Sequence, residues 1–167
     1  MIKLLDILKE AKAVGVIYHF TTIGAITMML EEYNSIVLDD NYSSEAGRGY
    51  FSFTRNPNLD RVTWTVVRLK LDGNKMSNRY RFEPYMYGGK ERQVSKIEVN
   101  WFEAEERINA NKYGGKLDIT PYIIDVTMSS EILELPQDAE ITDRYKKKYG
   151  TVYEWFTQHN IPVYLDS

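Results

Sequence analysis

The chain has 167 residues, with 43% hydrophobic and 27% charged side chains, a composition typical of a globular protein that has a core of its own. It contains no cysteine and two histidines, so thiolate catalysis, disulfide bonds and cysteine-zinc sites are excluded and a multi-histidine metal centre is disfavoured. The net charge of −3 argues against nucleic-acid binding through overall charge, and no apolar run approaches the roughly 18 residues of a transmembrane helix.

The first half of the chain mixes helical and alternating apolar patterns. Residues 14–21 predict a strand, because Val16 and Tyr18 share one face while Ile17 and His19 share the other. The predicted elements, in chain order, are a helix over residues 2–12, the strand over 14–21, a helix over 23–32 capped by Thr22, a loop over 34–49, a strand over 50–54, a strand over 62–71, a turn at 72–74 and a short strand over 79–85.

The second half of the chain is predicted to be mixed in the same way. Its predicted elements are a helix over residues 95–110 that ends before Gly114-Gly115, a strand over 119–128, helices over 138–149 and 151–159, and a terminal strand over 161–165. The sequence shows no internal repeat and no convincing linker. We therefore expect an α+β fold, with a β-sheet core flanked by helices, in one domain over residues 1–167.

His19 is a titratable residue near the end of an apolar strand. The helix predicted after Thr22 would direct its N-terminus at the same region, and helix N-termini attract anions. His19 and Thr21 are therefore candidates for holding a ribose hydroxyl and an amide. The alternative is a histidine that is hydrogen-bonded within the core.

Glu105 is a carboxylate on the apolar face of the helix predicted over residues 95–110. It shares that face with three apolar side chains, since positions i, i+3, i+4 and i+7 are Trp101, Ala104, Glu105 and Ile108. Burying a carboxylate costs several kcal/mol unless it is paired or hydrogen-bonded. Glu105 therefore has a structural partner or a chemical role. Glu106, about 100° further around the helix, is the second candidate for the carboxylate with a chemical role.

Arg55 follows an aromatic strand whose rings Phe51 and Phe53 share its face. If those rings are buried, the guanidinium emerges at the rim of the core, where its shape suits a pyrophosphate. The alternative is a surface ion pair at the end of a strand.

The segment from Arg68 to Lys96 contains eight basic and three acidic residues, so it is positively charged in an acidic chain. Basic side chains interleaved with aromatic rings suit a single-stranded nucleic acid, because the phosphates meet the charge and the bases stack. The alternative is a solvated hairpin edge. The candidate contacts to such a substrate are Arg79, Tyr80, Arg81, Tyr85 and Arg92.

Two blocks of the sequence resemble the DarT-like ADP-ribosyltransferases. Residues 18–22, Tyr-His-Phe-Thr-Thr, with residues 26–32 resemble the opening strand and helix of that family. Residues 102–108 with the following strand resemble its catalytic block, in which Ala104-Glu105 occupies the key dipeptide. Residues 51–56 and 71–80 also look like small proteins of tailed phages.

The resemblance implies a split-sheet ADP-ribosyltransferase fold that uses NAD as a substrate in its cleft. It implies that His19 and Thr21 hold the nicotinamide-side ribose and the amide, and that Arg55 contacts the phosphates or, as a catalytic residue, stabilises the site of the leaving group. Glu105, or Glu106 in its place, would bind the ribose 2′-hydroxyl and deprotonate the acceptor. The aromatic residue that stacks on nicotinamide is left open among Phe53, Tyr80 and Tyr50.

The resemblance also implies an acceptor, RNA or single-stranded DNA, with a protein acceptor as an alternative. We expect a monomer in the cytoplasm, which is the host cytoplasm if a phage encodes it, with no membrane partner and no bound metal. Residues 1–15 lack the apolar segment of a signal peptide, in line with that location.

Two other functions remain open. One is a catalytically inactive relative that binds a host protein or a nucleotide. The other is a metal-dependent nuclease, disfavoured because acids that fan around a helix do not converge on one hard cation. Its acids would be Glu103, Glu105, Glu106 and Asp125.

Overall fold

The computed structural model describes residues 14–42, 49–57, 67–84, 105–129 and 139–166. Its helices and strands are β1 (Val16–Thr21), α1 (Ile23–Tyr33), β2 (Val37–Asp39), β3 (Tyr50–Thr54), β4 (Val67–Asp72), α2 (Gly73–Ser77), β5 (Phe82–Pro84), β6 (Glu105–Asn109), β7 (Lys116–Asp118), β8 (Ile123–Ser129), α3 (Ala139–Gln158) and β9 (Val163–Asp166).

Seven of the strands form one sheet in the order β5-β6-β3-β1-β4-β8-β9, and β2 and β7 form a second, two-stranded sheet. All neighbours in the large sheet are antiparallel except β8 and β9, which are parallel. The mixed fold with a mainly antiparallel sheet confirms the predicted α+β class.

One face of the large sheet carries the core. In β1 and β4 the register pairs Ile17 with Leu71 and His19 with Leu69, so these four positions share a face. Ile17, Leu69 and Leu71 are each fully buried. The opposite face carries Tyr18 among polar neighbours. The predicted alternation of β1 is therefore confirmed, and its apolar face is the one that contains His19.

The sheet splits between β1 and β3. Register pairs join β1 to β4 along the whole of β1, but β1 and β3 are joined at the single pair Tyr18↔Thr54. Beyond that pair, the end of β1 at Thr21 and the start of β3 at Tyr50 are no longer joined in the ladder. This opening positions the candidate site.

Helix α1 begins directly after β1, as predicted. The Thr22 hydroxyl oxygen accepts a hydrogen bond from the Ala25 amide at 3.0 Å, so Thr22 is the N-cap. Ile23 and Ile26 are buried against the core. The helix ends at Asn34 in the left-handed conformation, and Trp155 of α3 donates its indole N–H to the Asn34 side chain at 3.2 Å.

The helix predicted over residues 95–110 is wrong for residues 105–109, which form strand β6 between β3 and β5. Arg107 is half-buried, Ile108 is fully buried and Asn109 is half-buried, which is the period of a strand. Pairing with strands on both sides stabilises the extended form, whatever the local preference. Residues 95–104 lie outside the described part.

Other predictions of local structure also change. Within the described residues, the strand predicted over 79–85 covers Phe82–Pro84, and the strand predicted over 161–165 covers Val163–Asp166. Gly73 does not continue a turn but starts α2, capped by the Asp72 carboxylate. The two C-terminal helices are one helix, α3, which continues through Gly150. A 3-10 turn precedes β8, so that strand starts at Ile123. The loop predicted over residues 34–49 contains β2. The predicted helix over residues 2–12 and the start of the strand predicted over 62–71 fall outside the described residues.

Helices long and apolar enough to cross a membrane do not occur in the part of the chain that the structure describes.

Candidate functional site

A cavity of about 640 Å³ opens where the large sheet splits. The end of β1 and the start of β3 form one wall, and α1 forms another. Strand β2 closes a further side. The residues that line it are His19, Thr21, Thr22, Gly24, Ala25, Met28, Met29, Tyr33, Leu38, Asp39, Tyr50, Phe51 and Ser52.

The cavity is elongated along α1. Its lining residues on that helix recur at helical spacing, from Gly24 through Met28 to Tyr33. With a rise of about 1.5 Å per residue, the backbone from Gly24 to Tyr33 spans about 13 Å. The cavity therefore has two ends, one beside His19 and the helix N-terminus and the other beside Tyr33 and Asp39, with methionine side chains between them.

His19 is fixed in one tautomer at the first end. Its Nδ1 lies 3.2 Å from the backbone carbonyl oxygen of Ser52. Because a carbonyl oxygen only accepts, Nδ1 carries the hydrogen and donates. Burial lowers the pKa of His19 below 6.5, although the hydrogen bond to Ser52 partly opposes that effect. At neutral pH the ring is therefore uncharged, and Nε2 is a hydrogen-bond acceptor.

The N-terminus of α1 adds hydrogen-bond donors and positive potential to the same end. Thr21, which is 8% exposed, and the half-buried Thr22 are the last residues before the helix. Gly24 and Ala25 bring the first helical turn into the cavity wall. The unpaired amides of a first turn favour a negative or electron-rich group. The predicted pair His19 and Thr21 is thus brought together in one wall.

Tyr50 is the candidate aromatic residue that lines the cavity. It is 38% exposed, and the Arg107 guanidinium carbon lies 5.9 Å from its ring centroid. Phe53 is instead 2% exposed, and its ring lies 5.8 Å from both His19 and Phe82. Phe53 is therefore a core residue that supports the imidazole from behind. Phe53 is not among the residues that line the cavity.

The two candidate carboxylates lie in β6, next to β3. In the register, Glu105 stands opposite Thr54 and Glu106 stands opposite Phe53. Directly opposed positions share a face of the sheet, so position 106 falls on the face of Phe53 and His19, whereas position 105 falls on the face of Thr54 and Tyr18. The side chains at positions 105 and 106 lie outside the described part.

Arg55 is not brought to the cavity. It follows Thr54 at the end of β3 that is remote from Tyr50, and its side chain is exposed. The guanidinium therefore stands past the one point at which β1 and β3 still pair.

The predicted substrate contacts divide into three groups. Arg79 and Arg81 are exposed. Tyr80 is 5% exposed and packs edge-on against Tyr113 and Tyr122, with centroids 5.0 and 5.9 Å away, so it is a core residue with no open ring face for a base or for nicotinamide. The remaining two predicted contacts, Tyr85 and Arg92, lie outside the described residues.

The polar cluster at the second end of the cavity, formed by Tyr33, Asp39 and Lys116, was not predicted from the sequence. The Tyr33 hydroxyl donates to the Asp39 carboxylate at 2.6 Å, and the Lys116 ammonium lies 3.2 Å from the same carboxylate oxygen and 2.9 Å from the hydroxyl. The backbone N–H of Asn41 donates to the other carboxylate oxygen of Asp39 at 2.9 Å. One signal was present, since Asp39 directly follows an apolar run over residues 36–38 in the predicted loop.

These contacts hold the cluster in defined protonation states. Burial acts to raise the pKa of Asp39, but the hydrogen bonds from Tyr33 and Asn41 and the charge of Lys116 outweigh it and leave that pKa below 3.8. The hydrogen bond to Asp39 raises the pKa of Tyr33 to about 12. At neutral pH Asp39 is therefore a carboxylate, and Tyr33 a neutral hydroxyl.

Groups of three or more His, Asp or Glu side chains that could hold a metal ion are absent from the described ranges of the chain. Comparisons of the chain with protein-family models, with curated proteins and with solved structures find no match.

Proposed function

We propose that the chain is an NAD-dependent ADP-ribosyltransferase with a split-sheet fold of the DarT-like type. The observation that carries the proposal is the cavity at the split, in which His19 and Thr21 lie in one wall beside the N-terminus of α1. Its volume of about 640 Å³ falls within the roughly 300–1,000 Å³ typical of small-molecule sites. NAD is proposed as the substrate that fills it.

In this proposal the nicotinamide half of NAD occupies the end of the cavity beside His19. The Nε2 atom of the neutral imidazole accepts a hydrogen bond from a ribose hydroxyl, because Nδ1 is already engaged by Ser52. The Ala25 amide is used by the Thr22 cap, so the amides of Ile23 and Gly24 are the ones proposed to meet the carboxamide oxygen or a phosphate. Of the three aromatic candidates for stacking on nicotinamide, Tyr50 is the one that lines the cavity, although it alternates onto the Thr54 face of β3, the face that also holds position 105.

Glu106 is the carboxylate that the register supports for the reaction, in preference to Glu105. Position 106 stands directly opposite Phe53 in the ladder, and the Phe53 ring lies 5.8 Å from the His19 ring on the same face of the sheet. A carboxylate there would stabilise positive charge that develops on the ribose ring. Arg55 is proposed to act on a part of NAD or of the acceptor that extends out of the cavity.

The proposed reaction is transfer of ADP-ribose with loss of nicotinamide. The bond between the ribose C1′ and the nicotinamide nitrogen breaks, and nicotinamide leaves with the bonding electron pair. The transition state resembles an oxocarbenium ion, as in other glycosidic cleavages. The acceptor atom then bonds to C1′ and gives its proton to the carboxylate, which serves as the general base.

A nucleic acid is the proposed acceptor, either RNA or single-stranded DNA. Support comes from the positive charge of the segment from Arg68 to Lys96 and from the exposure of Arg79 and Arg81 within it. Protein is the alternative acceptor.

The experiment incubates the chain with radiolabelled NAD and separate pools of RNA, single-stranded DNA and protein, and measures nicotinamide release and label transfer. The neighbouring glutamates provide a matched pair of variants. Glu106→Gln is expected to lower the rate about 100-fold or more, which is the scale of a lost general base. Glu105→Gln is expected to retain activity, because its position belongs to the other face of the sheet.

Three results would contradict the proposal or a part of it. If neither NAD binding nor nicotinamide release is detected with any pool, the transferase assignment fails. If NAD binds but nicotinamide is never released, the chain is a binding protein and the catalytic assignment fails. Equal loss of activity in both glutamine variants would contradict the role that the register gives to Glu106.

A further inference from the structure

The second end of the cavity has a charge arrangement that would discriminate between dinucleotides. Asp39 lines the cavity, and its side chain is 3% exposed. Lys116, its ion-pair partner at 3.2 Å, has a side chain that is 48% exposed to bulk water. Water and salt screen an exposed charge more strongly than a covered one. The cavity therefore experiences the negative charge of Asp39 more strongly than the positive charge of Lys116.

The position of Asp39 matches the direction in which a dinucleotide would extend. With the nicotinamide half beside His19, the rest of the molecule runs along α1, whose cavity-lining backbone spans about 13 Å to Tyr33. The adenosine ribose then approaches Tyr33 and Asp39. Phosphorylated and unphosphorylated dinucleotides differ at the 2′ position of this ribose, and an acidic residue near it favours the unphosphorylated form in other dinucleotide sites.

We propose that Asp39 is a specificity-determining residue that excludes 2′-phosphorylated dinucleotides, so that the cavity takes NAD and rejects NADP. The inference rests on the proposed function, since it needs a dinucleotide in the cavity. Asp39 acts through its charge on the cavity wall, and Tyr33 and the Asn41 amide hold the carboxylate in place. Lys116 opposes Asp39 by neutralising part of that charge.

The two charged residues of the pair give tests of opposite sign. Isothermal titration calorimetry with the full chain measures the affinities of NAD and of NADP separately, and chromatography checks that each ligand stays intact. Asp39→Asn keeps the shape and removes the charge, so we expect the affinity of NADP to rise about tenfold relative to that of NAD. Lys116→Met removes the opposing charge, so NADP binding weakens further and the preference for NAD increases.

The outcomes separate this inference from the proposed function. If NAD binds and both variants change NAD and NADP affinity by the same factor, Asp39 has a structural role and the specificity inference fails while the transferase proposal stands. If neither dinucleotide binds the unaltered chain, both proposals fail. If Asp39→Asn does not fold, Lys116→Met still decides, because Lys116 is at the surface and the expected change in preference has a defined direction.

Discussion

The hydroxyl of Thr22 gives a prediction that links the sequence to the cavity wall. Its oxygen accepts the Ala25 amide at 3.0 Å and is the side-chain cap of α1. The first turn of that helix contains no acidic residue that would add a second favourable interaction. Thr22→Val keeps nearly the same shape and removes the hydroxyl. Loss of an N-cap is expected to lower the free energy of unfolding by about 1 kcal/mol.

For a chain of 167 residues this loss corresponds to a fall of about 3 °C in the midpoint of thermal unfolding. Urea unfolding followed by circular dichroism measures the free energy directly, and hydrogen exchange of the Ala25 amide reports the cap itself. Thr22→Ser is the matched control, because serine retains the acceptor oxygen, and we expect it to stay within about 0.5 kcal/mol of the unaltered chain.

The reasoning is refuted if the valine and serine variants lose the same stability, because the hydroxyl then contributes nothing. It is also refuted if the Ala25 amide exchanges at an unchanged rate in Thr22→Val. If the valine variant instead weakens NAD binding without any loss of stability, Thr22 contacts the ligand and its role as a cap is secondary.

Three further predictions follow from contacts of single residues. Gly73→Ala is expected to lower the free energy of unfolding by about 1–3 kcal/mol, because its methyl group would lie 2.6 Å from the backbone carbonyl oxygen of Gly15 in the loop before β1. Gly150→Ala is expected to raise the free energy of unfolding by about 0.5–1 kcal/mol in the same urea titrations. Apart from its own helix backbone and chain neighbours, no atom of the described residues lies within 4 Å of that methyl group. Burial lowers the pKa of His19, so near pH 6.5 the imidazole is protonated in the unfolded chain but not in the folded chain. The free energy of unfolding should therefore fall as the pH drops below 6.5. In urea titrations between about pH 5 and 8, His19→Asn should reduce that fall. Tyr33→Phe removes a hydrogen bond that lowers the pKa of Asp39, so the carboxyl should titrate at a higher pH in an NMR experiment, and an unchanged value would contradict the contact.

Local patterns were sufficient where an element is stabilised mainly by its own residues. The alternation over β1 predicts the strand and which residues share a face, and Thr22 predicts the start of α1 because capping involves residues within one turn. The bounds predicted for β3, residues 50–54, are also those of the structure, since an aromatic alternating run ends there at polar residues.

Local patterns failed where a helical spacing was present but few residues carried it. Positions 101, 104, 105 and 108 have helical spacing, whereas residues 105–109 contain a single apolar side chain, Ile108, and do not by themselves specify a helix or a strand. The partners on both sides, β3 and β5, are separated from this segment in the sequence and select the extended form. That choice also places the two glutamates on opposite faces, and it puts position 106 on the face of Phe53 where the helical pattern had placed Glu105 on the apolar side.

The sequence by itself determined the α+β class, the strand with His19 and Thr21, and the helix that Thr22 caps. These features depend on side-chain alternation and on hydrogen bonds between near neighbours, which a local pattern records. The tertiary structure alone decided where the sheet splits, which residues form the walls of the cavity and how Tyr33 and Asp39 meet Lys116. Those features depend on strand register and on contacts across long stretches of chain, where the free energy of packing selects among extended and helical forms that the sequence leaves equally open.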